Sequence, residues 1–306
     1  MKRAVIDIGS NSILLLAGDF ENDVINEELN ESRITSLGKG LDKTGEFNHE
    51  SMENSFAALK EYRDLLISRK YIPEKTIVTA TEASRVSKNA KTFFEKVKNE
   101  LGFSVQTISA QGEAYYTALG VASSLSKDSD NSFVIMDIGG ASTELIKITI
   151  HPAFKINATI SLPIGSVRAT DLISEGKHHQ RWEELKKQFN LEAFSTERLI
   201  CVAGSMTALG AIYYKQNNFD AQELEGKVIS KNEFFDFLSQ IEKIDAHELA
   251  KQYPFLGKRI ASIRGGSFVA KSFVTEVVKK DIMISTRGLR YGTFIAGVLD
   301  GIYIAS

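Results

Sequence analysis

The chain has 306 residues, 43% of them hydrophobic and 25% charged, with a formal net charge of −2. Those proportions suit two globular domains of about 150 residues each, and the near-neutral charge excludes a broadly basic surface, so an anionic ligand has to be held by local donors. The single cysteine excludes an internal disulfide, and no run reaches the ~18 apolar residues that span a bilayer.

Met1-Lys2-Arg3 is similar to a signal n-region, but Asp7 interrupts the apolar stretch and no cleavage-site pattern follows. The expectation is a cytoplasmic protein with no membrane and no nucleic-acid partner. Ala4 to Ile8 reads as a short buried strand, Gly9-Ser10-Asn11 as a turn and Ile13 to Phe20 as a second strand, followed by Asn22-Asp23 and a third strand, Val24 to Ser32. Ser51 to Lys70 reads as a helix with Met52, Phe56, Leu59 and Leu66 near one face. Thr76 to Thr81 is a β-branched strand. Asn89 is placed to cap a helix that Gly102 closes. Val105 to Ile108 is a strand and Gly112 to Ser124 a helix.

The polar stretch Ser126 to Asn131 is the best candidate boundary in the first half, which predicts domains at 1–127 and 128–306, with the last helix packing back on the first domain. Directly after it the opening pattern returns. Val5-Ile6-Asp7-Ile8-Gly9-Ser10-Asn11-Ser12 is echoed by Ile135-Met136-Asp137-Ile138-Gly139-Gly140-Ala141-Ser142. The separation, Asp7 against Asp137, is too long for a solenoid repeat and suits two related domains that each open with the same β-hairpin. Beyond it, His178 to Phe189 is a charged helix, Leu199 to Ala203 a strand around a buried Cys201, and Ser205 to Tyr214 a helix. Lys231 to Lys243 is amphipathic, with Phe234, Phe235, Leu238 and Ile241 on one side. Ile282 to Ser285 is a strand and Leu289 to Leu299 a helix. Alternating strands and helices predict mixed α/β domains.

One Asp-x-Gly is no more than a tight turn. Two copies, each opening a domain-sized unit, point to a phosphate clamp, because Gly-rich turns after strands expose backbone N–H groups. The donors are Ser10, Asn11 and Ser12 in one copy, and Gly139, Gly140, Ala141, Ser142 and Thr143 in the other. Asp7 and Asp137, at strand ends, are placed to hold a hard cation that bridges to phosphate oxygens. Glu144 follows the second turn directly and points away from Leu145 on a strand. Glu113 lies where a strand gives way to a helix.

These segments, in order, resemble the exopolyphosphatase/guanosine-pentaphosphate phosphohydrolase family. Ile6-Asp7-Ile8-Gly9-Ser10-Asn11-Ser12 resembles its first phosphate motif, and Asp137-Ile138-Gly139-Gly140-Ala141-Ser142-Thr143-Glu144 its second. Ala80-Thr81-Glu82-Ala83-Ser84-Arg85 is similar to its arginine segment. Ile108-Ser109-Ala110-Gln111-Gly112-Glu113-Ala114 resembles its I-S-G-x-E-E-A segment. Leu162 to Arg168, Ala203-Gly204-Ser205-Met206-Thr207 and Gly288-Leu289-Arg290-Tyr291-Gly292 complete the series. Gly112 stands for the first Glu of E-E-A, Ala110 for a Gly, and Ala141 for the third Gly of the second motif; a methyl at 141 would narrow the approach to phosphate and restrict positive φ.

The resemblance implies a two-domain actin/hexokinase/heat-shock ATPase (ribonuclease H-like) α/β fold with its active site in the cleft. It implies Glu113 as general base on a water, Asp137 and Glu144 supporting magnesium and that water, and Asp7 as a further metal ligand. Phosphate falls to Ser10, Asn11, Ser12, Gly139, Gly140, Ala141, Ser142, Gly204 and Ser205, and Arg85 neutralises the chain being cut. The implied reaction is hydrolysis of terminal phosphoanhydride bonds of inorganic polyphosphate. The alternatives are removal of the 5′ γ-phosphate of guanosine pentaphosphate, a step tied to the stringent response, and non-catalytic binding of polyphosphate or guanosine tetraphosphate. A kinase on the same fold is disfavoured by Glu113, since a water-activating base favours hydrolysis. The resemblance alone suggests a homodimer. Longer members carry a further helical region beyond the last motif. With that region missing, and with Lys39, Arg85, Arg168, Arg264 and Arg290 scattered, short polyphosphate is the expected preference. His178-His179 is expected to be a solvated helix start, Gly265-Gly266 a plain turn, and Trp182 core.

Overall fold

Strand β1 (Lys2–Ile8) turns into β2 (Ser12–Glu21), and β2 into β3 (Val24–Ile34), an antiparallel meander with Ile8 opposite Ile13. The short helix α1 (Leu41–Thr44) and the long α2 (His49–Ser68) follow. Asn48 caps α2 by accepting from the Ser51 N–H at 2.9 Å, the arrangement Asn favours at that position. Helix α2 returns the chain so that β4 (Ile77–Ala80) runs parallel to β1. Then come α3 (Glu82–Val86), α4 (Ala90–Leu101) and β5 (Val105–Thr107), parallel to β4. Helix α5 (Ala110–Ala122) ends this run. The sheet order is β3-β2-β1-β4-β5.

The computed structural model describes residues 1–125 and 132–305; the polar stretch read as the domain boundary lies outside the described residues. After it, β6 (Ser132–Ile138), β7 (Thr143–Thr149) and β8 (Lys155–Leu162) form a second antiparallel meander. Helices α6 (Ser166–Ser174) and α7 (His178–Gln188) lead to β9 (Thr196–Val202), parallel to β6. Next are α8 (Ala203–Tyr213), α9 (Ala221–Leu224), β10 (Val228–Ser230), α10 (Lys231–Ile241), α11 (Ala246–Gln252) and α12 (Ile260–Val277). Strand β11 (Val278–Ile284) is parallel to β9, and the sheet order is β10-β11-β9-β6-β7-β8. Apart from β10 at the edge, this repeats the first order strand for strand. Each sheet is thus an antiparallel meander extended by parallel strands, the mixed α/β arrangement expected of two related domains. Among the described residues no helix is long and apolar enough to cross a membrane.

The chain divides into two compact units, Met1–Gly120 with Leu289–Ser306, and Val121–Gly288. The final helix α13 (Leu289–Ala296) sits in the first unit for a reason visible in β1. Ala4, Ile6 and Ile8 pack into one core with Leu15 and Leu59. Val5, pointing the other way, is equally buried and packs with Leu16 against Tyr291 and Phe294 of α13. A strand apolar on both faces needs cover on both. Each fully buried side chain of that second layer contributes about 1.5–3 kcal/mol.

Several sequence expectations change. Gly265 and Gly266 are not a turn but lie inside α12. A methyl at Gly265 would collide with the Ser166 carbonyl, so the glycine lets α12 pack closely on α6. Asn89 stands at the start of α4 but does not cap it. Its amide accepts from the Phe47 N–H and donates to the Phe47 carbonyl, both at 2.9 Å, because one Asn side chain satisfies both groups of that backbone residue. Phe235 is 38% exposed, off the core face, with the Lys271 ammonium 4.9 Å from its ring centre. Cys201 and Trp182 are buried, as read.

Candidate functional site

The two hairpin turns share one backbone arrangement. The Gly9 N–H donates to the Ser12 carbonyl at 3.0 Å, and the Gly139 N–H to the Ser142 carbonyl at the same 3.0 Å. In both, the loop carbonyls are bound from behind. Ser10 O accepts from the Gly38 N–H (2.7 Å), and Asn11 O from Thr35 (3.0 Å) and Ser36 (2.9 Å). In the second unit, Gly139 O accepts from the Ser166 N–H (2.9 Å), Gly140 O from Val167 (2.9 Å) and Arg168 (3.2 Å), and Ala141 O from Arg168 Nη1. With the carbonyls engaged, the N–H groups of Ser10, Gly140 and Ala141 donate to no other backbone group among the described residues. Successive turn N–H groups left without a backbone acceptor are the kind of donors from which an anion can accept. Ala141 is not among the positive-φ residues, so its methyl strains nothing in the loop.

The acids fall into two settings. Asp137 and Glu144 are directly opposite each other in the β6–β7 ladder, which puts both side chains on one face. Glu144 is only 2% exposed, and the Ser161 hydroxyl donates to its Oε1 at 2.6 Å; Leu145, its neighbour, points into the core. Asp7 occupies the equivalent place in the first unit, but its ladder partner is Leu14. No group of three or more His, Cys, Asp or Glu suited to a metal exists among the described residues. Magnesium needs fewer: it is held by one or two carboxylates plus substrate phosphates. The Asp137–Glu144 pair fits that requirement.

Glu113 lies in the first turn of α5, where the Ser109 hydroxyl accepts from the Gly112 N–H at 3.1 Å and the Ser109 carbonyl from the Glu113 N–H at 2.9 Å. Arg85, at the end of α3, donates through Nη1 to Glu113 Oε2 at 3.0 Å and to the Ile108 carbonyl at 2.8 Å. The two side chains, 18% and 13% exposed, form an ion pair. Arg85, expected on the substrate, is thus also the residue that orients Glu113.

Gly204 and Ser205 open helix α8. Ala203 before them has φ 69°, in the left-handed region, where a side chain costs roughly 1–2 kcal/mol. Such strain concentrates at functional loops. A methyl at Gly204 would collide with the Arg259 guanidinium. Arg259, partly buried, forms no ion pair among the described residues; burial lowers its pKa to about 10, which leaves it a cation at neutral pH. Sequence reasoning missed it. The available signal was a run from Leu249 to Thr275 with Lys251, Lys258, Arg259, Arg264 and Lys271 and no acid. Of the basic residues singled out beforehand, Arg264 donates to the Glu242 carbonyl at 3.0 Å and Arg290 to the Glu31 carbonyl at 3.3 Å, so both serve the scaffold.

A model of the Ppx/GppA phosphatase family matches residues 23–300. A bifunctional 3-dehydroquinate synthase/phosphatase of Fusobacterium nucleatum is 32% identical over 315 residues, covering 97% of this chain, which spans 46% of that relative's length. Exopolyphosphatase 2 of Mycobacterium tuberculosis is 27% identical over 296 residues, covering 90% of each chain. The crystal structure of the Aquifex aeolicus member of the Ppx/GppA protein family superposes with a TM-score of 0.77 at 29% identity, covering 97% of both chains.

Proposed function

The chain belongs to the Ppx/GppA phosphatase family, and from that membership we propose that it hydrolyses the terminal phosphoanhydride bond of inorganic polyphosphate in the cytoplasm. The observation that carries the reading is the Arg85–Glu113 ion pair on the first turn of α5. It holds a carboxylate, an acceptor-only group when ionised, in one fixed orientation.

In this reading, a water oxygen attacks the terminal phosphorus and its proton passes to Glu113. The bridging P–O bond breaks, the shortened chain leaves with that oxygen, and orthophosphate is the second product. Phosphoryl transfer asks little covalent chemistry of a protein beyond positioning and charge stabilisation. Within the first unit the Ser10 N–H, with Asn11 and Ser12, would hold phosphate oxygens; within the second, the N–H groups of Gly140 and Ala141, with Gly139, Ser142, Gly204 and Ser205, would do the same. Arg259 adds a cation beside Gly204. Asp137 and Glu144 are the residues that would hold magnesium, which when bound neutralises charge on the phosphate oxygens. Asp7, with Leu14 opposite, contributes a single carboxylate from its own loop.

Of the three departures, at 110, 112 and 141, that leave room for a non-catalytic binder, two have structural explanations: Ala141 adopts an ordinary backbone conformation, and Gly112 accommodates Tyr303, whose Cβ a side chain at 112 would meet at 2.7 Å. Removal of the γ-phosphate of guanosine pentaphosphate uses the same terminal chemistry and is the second arm of the test. Phosphate release is measured from short polyphosphate, long polyphosphate, guanosine pentaphosphate and ATP, with magnesium and with EDTA. The reading expects magnesium-dependent release, fastest by kcat/KM on short polyphosphate. Release from guanosine pentaphosphate alone would replace the substrate, and binding without release from any of the four would replace the reaction.

A further inference from the structure

The last described residues do not trail away from the first unit. Asp300 accepts at Oδ1 from the Ile302 N–H at 3.1 Å, capping a 3-10 turn over Gly301–Tyr303. Beyond it the chain makes an antiparallel bridge, Ile304 opposite Ile108. The Ser109 N–H donates to the Tyr303 carbonyl at 2.7 Å, and the Ala305 N–H to the Thr107 carbonyl at 2.8 Å. The Tyr116 hydroxyl accepts from the Asp300 N–H at 2.9 Å. The Tyr303 ring stacks on Tyr115 with centroids 4.6 Å apart and meets the Tyr116 ring edge-on at 5.7 Å.

These contacts converge on the segment that carries Glu113. Ile108 and Ser109 are gripped by the 303–305 backbone, while the Ile108 carbonyl accepts from Arg85, the partner of Glu113. Gly112 lies directly under Tyr303: a Cβ there would stand 2.7 Å from Tyr303 Cβ and 2.9 Å from its carbonyl oxygen. A side chain at 112 would therefore not fit beneath the strap as it stands.

We propose that residues 300–305 form a strap that positions Glu113, with Tyr303 as its positioning residue. The inference rests on the reading of Glu113 as the base. Tyr303 touches no reacting atom; it acts by holding the first turn of α5, and with it the carboxylate, in register with Arg85. Misplacement of a catalytic group by ~1 Å costs up to about 10²-fold in rate.

The test uses the full chain with a polyphosphate of a few phosphates as substrate. Tyr303→Ala is expected to lower kcat about 10-fold or more with KM within about twofold, to speed hydrogen exchange at the Ser109 amide, and to be rescued by Tyr303→Phe, which keeps the stacked ring. In a Glu113→Gln background, Tyr303→Ala is expected to remove nothing further, because the two act as one unit. Should Tyr303→Ala fail to fold, Gly112→Ala displaces the strap from the opposite side and is expected to show the same kcat loss. Unchanged kcat in a variant whose Ser109 amide exchanges faster overturns the strap, even if Glu113→Gln is inactive. Near-wild-type turnover in Glu113→Gln overturns the base assignment and the strap with it.

Discussion

The two hairpins are built alike and differ at one ladder position. Opposite Asp7 stands Leu14; opposite Asp137, at the matching step of the second hairpin, stands Glu144. Both turns close with the same 3.0 Å bond and both have their carbonyls engaged from behind. The bracing itself differs. In the first unit it comes from the segment after β3, Thr35 to Gly38; in the second it comes from the start of α6, Ser166 to Arg168. The common part is a set of turn N–H groups with no backbone acceptor among the described residues, the kind of donor from which a phosphate oxygen accepts. The divergent part is the acid chemistry. The second hairpin carries two opposed carboxylates, while the first carries one; the other acid singled out in the first unit, Glu113, lies on helix α5, held by Arg85.

The sharpest way to break this division of labour is at Glu113. Glu113→Gln keeps the shape but cannot take the proton, so kcat is expected to fall roughly 10²–10⁴-fold with substrate binding retained. Steady-state turnover together with equilibrium binding of a short polyphosphate decides it. A mutant turning over at near the wild-type rate would mean that the first unit supplies no base.

Next in size is the carboxylate pair. Asp137→Ala and Glu144→Ala are each expected to weaken magnesium activation by about 10–100-fold, read as a shift in the magnesium titration of phosphate release. Asp7→Ala should move that titration less, since only the second hairpin has two opposed acids. Equal shifts from all three variants would erase the distinction between the hairpins.

Arg259→Ala is expected to raise KM for short polyphosphate about 10-fold, the scale of a charge-assisted hydrogen bond of roughly 1.5–3 kcal/mol. Arg259→Lys should recover part of it, because the charge returns without the planar fork. An unchanged KM with a lowered melting temperature would make Arg259 a packing residue over Gly204.

The smallest expected effect is a gain. Ala203→Gly relieves a left-handed alanine, and after the entropy that glycine adds to the unfolded chain a net of about 0.5–1 kcal/mol remains. That should raise Tm by about 2 °C in a thermal melt. A lower Tm would show that the methyl packs usefully despite its φ.

Local pattern alone carried much of this protein. The strand–Asp–Gly turn written twice, Asp7 and Asp137, was enough to predict two hairpins, and they open two separate sheets with matching strand order. The end of α4 at Gly102 followed from a residue that tolerates positive φ. Glu144 was legible because side chains alternate along a strand. What the sequence could not express is which distant segments meet. Nothing near Arg85 or Glu113, 28 residues apart, marks them as an ion pair. Gly112 read as a missing acid until Tyr303, far along the chain, was found over it. Gly265 and Gly266 read as a turn because local propensity disfavours glycine in helices by about 1 kcal/mol each, a penalty that close packing of α12 on α6 overrides. Arg259 is the same lesson: its guanidinium occupies the space that a side chain at Gly204 would fill, and a neighbour 55 residues away along the chain is not marked by local pattern.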